Sequence, residues 1–262
     1  MRRQVRFLAA LLALLALLVA GCGSDDDNGS GSATASDAGA LTVSAAASLQ
    51  EAFGEYGRAF GDVRFSFAGS DDLAAQIRQG IKPDLFAAAN TSLPDDLFSE
   101  GLVERPVVFA GNRLVLAVPA DEGEIASIDD LERPGVKIAI GAETVPIGAY
   151  TRRVLGHLPA AASERILANV RSEEPDVKGI VGKLTQGAVD AGFVYVTDVA
   201  ATRGALKAID LPASLEPSAS YGVAIVRGTE HAEAAQRFID GLLDGSGQQA
   251  LSAAGFEPPP SR

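Results

Sequence analysis

The sequence predicts an α/β protein, and three observations support this class. From residue 41 onward, short runs of β-branched and aromatic residues alternate with stretches whose apolar residues recur every three or four positions. This βαβ order predicts parallel sheets with helices on both faces. Of the 262 residues, 47% are apolar and 21% are charged, which is a globular composition. The roughly 220 residues beyond the first forty suffice for one large α/β domain or two smaller ones that share a ligand cleft.

The individual elements are predicted from these two periodicities. Strands are expected at 41–45, 63–67, 84–88, 113–118, 136–140, 192–196 and 222–226. Helices are expected at 49–60, 73–81, 93–100, 147–158, 177–186 and 232–243. The first two strand-to-helix units resemble each other, since each runs from a strand through two small residues to a serine and then a helix.

The first forty residues have a different character. Residues 1–6 are basic, and 7–20 form a Leu/Ala run too short to span a bilayer comfortably, so 1–21 is predicted to be a signal peptide. The run ends in Val19-Ala20-Gly21-Cys22, which resembles the lipobox of bacterial lipoproteins, in which the cysteine becomes the acylated N-terminus. The alternative is a soluble secreted protein with an incidental cysteine. Residues 22–40 are rich in Gly, Ser, Asp and Ala and are predicted to be a flexible, lipid-anchored tether.

Charge and side-chain chemistry exclude several classes of function. The formal net charge is −12, and loss of the predicted signal peptide makes the chain more acidic still, so we expect no binding to nucleic acid. A single cysteine cannot form an internal disulfide or a thiolate metal site. The two histidines, His157 and His231, lie on separate predicted helices and leave little material for a histidine-based catalytic or zinc centre.

Two serines stand where ligands bind in α/β proteins. Ser48 and Ser70 each follow a predicted strand and precede a predicted helix, so they lie at the carboxyl end of a sheet. A helix N-terminus has free N–H groups and a partial positive charge, and a serine there adds a hydroxyl donor to an anion site. The alternative is that both serines are helix N-caps, and Ser48 with Glu51 even has the spacing of a capping box.

Three further segments have similar features. Residues 143–148 precede another helix, with Pro146 suited to the first turn and Gly148 allowing close approach of the backbone. Asp176 is placed to cap the helix that begins at Val177. Tyr195 lies late in a strand, where its hydroxyl can point into a cleft, although it could equally be a core aromatic residue with a satisfied hydroxyl.

Taken together, these segments resemble the molybdate-binding proteins of bacterial ABC transporters. The resemblance rests on motifs in matching order, from 41 to 256: Ala45-Ala-Ala-Ser48-Leu, Phe67-Ala-Gly-Ser70, Gly111 to Pro119, Val145-Pro-Ile-Gly-Ala-Tyr150, Asp176-Val-Lys and Gly192-Phe-Val-Tyr195. It implies the type II periplasmic-binding-protein fold, in which two α/β domains are joined by two hinge crossovers. By analogy one domain comprises 41–113 plus 219–262, and the other comprises 114–218.

The resemblance also implies a site and its partners. A tetrahedral oxyanion, molybdate or tungstate, would be held by Ser48, Ser70, the backbone amides of Ile147 and Val177, and Tyr195. No cofactor, catalytic residue or bare metal cation is expected. A monomer would be tethered through Cys22 to the outer face of the cytoplasmic membrane, where it would meet an ABC permease.

Two departures from the family pattern and several alternatives accompany this interpretation. Ile147 replaces a common alanine, which is tolerable for a backbone donor, whereas Asp71 and Asp72 add negative charge beside the expected pocket. A protein of the same fold could instead bind sulfate, phosphate or ferric iron, although the four tyrosines are dispersed, which disfavours iron. A serine hydrolase would need a base near Ser48 or Ser70, and neither serine lies in a G-x-S-x-G motif. A purely structural lipoprotein would leave the paired serine motifs unexplained.

The lipobox generates the first testable prediction. Replacing the cysteine in C22S should block acylation, so the precursor should accumulate or the chain should leave the membrane fraction. Cell fractionation with metabolic labelling by a fatty acid would measure both effects. Unchanged processing and membrane association would contradict the lipid anchor.

Overall fold

The computed structural model describes residues 39–260, so the predicted signal peptide, Cys22 and all but the last two residues of the predicted tether lie outside the described residues. The strands in this range are β1 (Leu41–Ala46), β2 (Val63–Ala68), β3 (Leu85–Ala88), β4 (Val107–Pro119), β5 (Ile138–Gly141), β6 (Val170–Glu174), β7 (Ala191–Tyr195), β8 (Leu206–Asp210) and β9 (Ser218–Ile225). Each of the seven predicted strands overlaps one of them. Strands β6 and β8 were not predicted; each has only five residues and is largely half-exposed or exposed.

The helices are α1 (Gln50–Phe60), α2 (Ser70–Arg78), α3 (Ser92–Ser99), α4 (Pro146–Gly156), α5 (Ala160–Ala168), α6 (Val177–Thr185), α7 (Val196–Ala201), α8 (Ala232–Leu243) and α9 (Ser246–Ala253). All six predicted helices are present within a few residues. Helices α5, α7 and α9 were not predicted. None of the helices in 39–260 has the length and apolar character needed to cross a membrane.

The sheet is mixed rather than parallel, which corrects the sequence prediction. Its strand order is β2-β1-β3-β9-β4-β7-β5-β6, with β8 added beside β4. Pairing is parallel among β2, β1 and β3 and among β6, β5 and β7, but β9 runs antiparallel to β3 and β4. The two βαβ groups are therefore joined by antiparallel strands, and alternation of elements along the chain does not reveal this.

The long strand β4 belongs to both groups of strands. Its first half, from Val107 to Arg113, pairs with β9, and its second half, from Leu114 to Pro119, pairs with β7 and β8. Near this change of partners, Asn112 and Leu114 are fully buried. Strands β9 and β4 both lie between the two parallel groups. Tyr221 on β9 contacts Ser48 beside the first group, and Asn112 on β4 contacts Thr197 beside the second.

Candidate functional site

One small pocket collects every residue that the sequence analysis selected for ligand binding. Ser48, Ser70, Ile147, Val177 and Tyr195 all line it. The remaining lining residues are mostly small or apolar: Ala46, Ala47, Ala68, Gly69, Ala89, Val145, Pro146 and Asp176. The cavity measures about 20 Å³, which suits a small ion rather than a drug-sized molecule. Strand ends and helix starts far apart in the chain therefore converge on one point.

Ser70 is the first residue of α2 and not its N-cap, so the alternative interpretation of this serine as a helix cap is wrong. The N-cap is Gly69, and no side chain caps this helix. Ser70 is 2% exposed, and its Oγ accepts a hydrogen bond from the backbone N–H of Ala89 at 3.1 Å. Because that N–H occupies the acceptor side of the hydroxyl, the proton of Ser70 remains available to a ligand in the pocket.

Ser48 also differs from the predicted cap. It lies in a short 3-10 turn, Ala47–Leu49, and the N-cap of α1 is Leu49, without a side-chain cap. The proposed capping box with Glu51 is therefore wrong. Instead, the Oγ of Ser48 lies 2.9 Å from the Oη of Tyr221 on β9, and both side chains are buried.

The two backbone donors lie in the first turns of α4 and α6, as predicted. Pro146 is the first residue of α4, and Ile147 follows it. Val177 opens α6 behind Asp176, whose Oδ1 accepts from the N–H of Gly179 at 3.0 Å, so the predicted cap is confirmed. N–H groups in the first turn of a helix have no partner inside that helix, so those of Ile147 and Val177 can donate to a bound anion.

Gly148 explains how α4 comes so close to the preceding loop. A Cβ at this position would lie only 1.8 Å from the carbonyl oxygen of Ala142. Any other residue would push the start of α4 away from β5 and displace the N–H of Ile147. The close approach expected from the sequence is therefore present.

Tyr195 ends β7 and supplies a third hydroxyl to the pocket. It is 1% exposed, and within the described residues its Oη has no hydrogen-bond partner. Burial is the main cause that raises the pKa of this phenol well above its ordinary value, so the hydroxyl stays protonated at neutral pH. A buried donor without a partner lowers the stability of the folded protein. Such donors are rare in folded proteins, and a ligand in the pocket would supply the missing acceptor.

The charges around the pocket are acidic rather than basic. No Lys or Arg belongs to the residues that line it, whereas Asp176 does. The two aspartates that the sequence analysis marked do not belong to the lining: Asp72 is exposed, and Asp71 is half-buried with one oxygen lacking a hydrogen-bond partner in the described range. An anion here would be held by neutral dipoles rather than by an opposite charge.

Neither histidine lies in the pocket. His157 Nε2 lies 3.6 Å from a carboxylate oxygen of Glu216, and His231 Nδ1 lies 3.1 Å from Oδ1 of Asp84. Neither histidine lines the pocket with Ser48 and Ser70, so in the described range neither is placed as a general base for these serines. Residues 39–260 also contain no cluster of three or more His, Cys, Asp or Glu placed to hold a metal ion.

A group of polar residues behind the pocket was not predicted from the sequence. Asn112 and Tyr221 are fully buried on β4 and β9, and Asn112 contacts Thr197 at the start of α7. Lys178, next to Val177, forms an ion pair of 3.2 Å with the buried Asp198. The polar residues directly after Tyr195 were a signal for this group, but their partners are distant in sequence.

The chain is similar to bacterial solute-binding proteins over most of its length. A family model described as bacterial extracellular solute-binding protein matches residues 41–257. The chain is 33% identical over 255 residues to the molybdate-binding protein ModA of Mycobacterium tuberculosis, covering 93% of this chain and 95% of that protein. It is also 30% identical to YvgL of Bacillus subtilis, provisionally named an ABC transporter substrate-binding lipoprotein, over 95% of this chain and 96% of that one.

A solved structure extends the likeness to three dimensions. The periplasmic molybdate-binding protein of Azotobacter vinelandii superposes with a TM-score of 0.74, covering 84% of this chain and all of that one, at 21% identity. This likeness shows a shared fold.

The buried Asp198 generates a prediction about stability and pH. Burial raises the pKa of its carboxyl to about 6, although the ammonium of Lys178 acts in the opposite direction. The unfolded value is about 3.9. Between these values the folded protein holds a proton that the unfolded chain has lost, so stability falls as pH rises from about 4 to 6.

Wild type should therefore lose unfolding free energy relative to D198N as pH rises through this window. Urea unfolding at pH 4, 5, 6 and 7 would measure the difference. In K178M, which lacks the opposing ammonium, the window should extend to higher pH. If the unfolding free energy of wild type minus that of D198N stayed constant or rose with pH, the assignment would be contradicted.

Proposed function

Because the chain belongs to the family of bacterial extracellular solute-binding proteins, we propose that it binds molybdate outside the cytoplasm and delivers it to an ABC importer. The relatives named for molybdate binding cover nearly the whole chain and support this ligand. The observation that carries the proposal is the pocket itself, where three buried hydroxyls and the first-turn N–H groups of α4 and α6 converge.

A dianion can be held here by hydrogen bonds alone. Each hydrogen bond to a charged acceptor contributes roughly 1.5 to 3 kcal/mol, so five or more can exceed the ~8 kcal/mol of a micromolar site. Helix N-termini add partial positive charge without any mobile cation. Molybdate and tungstate have the same charge and shape, so we propose that the protein binds both.

The same donors would discriminate between oxyanions. Hydrogen phosphate carries a proton that requires an acceptor, and an unpaired donor in a desolvated site lowers affinity. Molybdate carries no such proton at neutral pH. Sulfate would satisfy the donors but differs in size, so it is the competing ligand that a binding assay has to include.

The proposal excludes catalysis and extends to localisation. A serine hydrolase would need a base beside Ser48 or Ser70, and both histidines pair with carboxylates elsewhere. We propose a monomer without a cofactor, anchored through the acylated Cys22 to the outer face of the cytoplasmic membrane. The provisional lipoprotein name of the Bacillus subtilis relative supports the anchor. Binding to nucleic acid is not part of the proposed function.

The serines provide the direct test of the pocket. S48A and S70A should each weaken molybdate binding by about 10- to 150-fold, since each removes one donor to a desolvated dianion. Y195F should weaken binding more mildly. Isothermal titration with molybdate, tungstate, sulfate and phosphate would measure these losses, with melting temperatures recorded to confirm folding.

The matched control is S44A, which removes a buried serine hydroxyl on β1 that does not line the pocket. It should bind molybdate like the wild type. If the S48A/S70A double variant kept wild-type affinity for molybdate, this pocket would not be the binding site. If sulfate bound more tightly than molybdate, the proposed ligand would be wrong, but this pocket would still be the binding site.

We further propose that the protein consists of two domains, 41–113 plus 219–262 and 114–218, which close on the ligand. Ser48 and Ser70 belong to the first and Ile147, Val177 and Tyr195 to the second, so a bound anion would connect them. The change of partners along β4 near Arg113 supports a crossover there. The second crossover would lie within 205–220.

Closure has its own measurable consequence. Small-angle scattering should show a smaller radius of gyration after addition of molybdate, because closure brings the two domains together and removes water from the anion. The S48A/S70A variant should show no compaction at the same molybdate concentration. An unchanged wild-type radius at saturating molybdate would contradict the hinge.

A further inference from the structure

A chain of hydrogen bonds reaches Ser48 from the two antiparallel strands behind the pocket. Asn112 on β4 and Tyr221 on β9 are each 0% exposed. The Nδ2 of Asn112 lies 3.4 Å from the Oη of Tyr221, which lies 2.9 Å from the Oγ of Ser48. Nδ2 also donates to the Oγ1 of Thr197 at 3.0 Å.

A backbone N–H group determines which way the carboxamide of Asn112 faces, and with it the donor-to-acceptor direction of these hydrogen bonds. The N–H of Arg113 lies 2.8 Å from the Oδ1 of Asn112, and a backbone N–H can only donate. The carboxamide oxygen must therefore face Arg113, and the NH₂ group must face Tyr221. Since the NH₂ group has no acceptor capacity, Tyr221 accepts from it.

The direction continues to Ser48. The proton of Tyr221 can be accepted by the Oγ of Ser48, at 2.9 Å. The neighbouring Tyr195, whose ring centroid lies 5.8 Å from that of Tyr221, has no hydrogen-bond partner for its Oη among the described residues. Burial is the main cause that raises the pKa of Tyr221 well above its ordinary value, so this proton is retained. If Ser48 donated instead, the proton of a fully buried phenol would lack an acceptor, which is disfavoured.

We propose that Asn112 and Tyr221 are positioning residues that hold the Ser48 hydroxyl as a donor toward the pocket and thereby favour fully deprotonated oxyanions over protonated ones. The inference rests on the proposed function. Asn112 and Tyr221 do not line the pocket themselves; they act on the ligand only through the orientation of the Ser48 hydroxyl.

Ser70 provides the contrast within the same site. Its acceptor side is occupied by the backbone N–H of Ala89, which no substitution that keeps the fold can reverse. The orientation of Ser48 depends on side chains instead. A change at position 112 or 221 should therefore alter one donor of the pocket and leave the other in place.

The first test removes the middle of the chain. Y221F should weaken molybdate binding by about 3- to 10-fold, because Ser48 loses the hydrogen bond that orients it. In the S48A background the same substitution should change affinity by less than about 2-fold, since no Ser48 hydroxyl remains to be oriented. The matched control is Y56F, which deletes another buried tyrosine hydroxyl, bonded to the carbonyl oxygen of Phe238, and should not change affinity.

The second test reverses the chain. In N112D one carboxylate oxygen still accepts from Arg113, but the other now accepts from Tyr221, which turns the phenolic proton away from Ser48. Ser48 should then donate to Tyr221 and present lone pairs to the pocket. The ratio of molybdate to hydrogen phosphate affinity should fall by at least about 10-fold, a change that general loss of stability would not produce.

Isothermal titration of wild type, S48A, Y221F, Y221F/S48A, Y56F, N112D and N112D/S48A would measure these effects, with circular dichroism to confirm folding. Wild-type affinity in Y221F, or an equal loss in the S48A background, would overturn the inference. If Y221F did not fold, an N112D ratio of molybdate to hydrogen phosphate equal to that of wild type would overturn it. Absence of molybdate binding by the wild type would instead contradict the proposed function.

Discussion

The pocket is governed by one physical constraint: hydrogen-bond donors converge in a buried place without acceptors of their own. The N–H groups at the starts of α4 and α6 cannot bond within their helices, and the hydroxyl of Tyr195 has no partner in the described range. Unpaired buried donors lower stability. The arrangement is favourable when an anion occupies the pocket, which couples ligand binding to the packing of the elements around it.

Small residues make this convergence possible. Gly148 lets α4 begin against the loop after β5, and a Cβ on Gly69 would lie 2.5 Å from the carbonyl oxygen of Pro175. Alanines at the ends of β1 and β2 leave room beside the serines. The backbone itself thus reaches the cavity, and neutral dipoles take the place of cations as the groups that face an anion.

The outcome of the serine predictions shows what local pattern can and cannot establish. The repeated pattern of a strand, two small residues, a serine and a helix correctly placed Ser48 and Ser70 at the same pocket. The family match confirms the resemblance on which the functional interpretation of these serines relied. The cap interpretation was wrong for both, because their hydroxyls bond to Tyr221 and Ala89. A capping box is a spacing of side chains, whereas the hydrogen bonds actually made depend on which distant atoms come close.

The sequence by itself determined the alternating strands and helices, the helix starts at Pro146 and Val177, and the need for glycine at 148, because periodicity, capping chemistry and backbone freedom are local properties. Only the tertiary structure decided that β4 and β9 run antiparallel between two parallel groups. It also decided that Ser48 meets Tyr221, 173 residues away, and that Lys178 meets Asp198. Such partners are selected by packing and by the need to satisfy buried polar groups, and neither leaves a periodic trace along the chain.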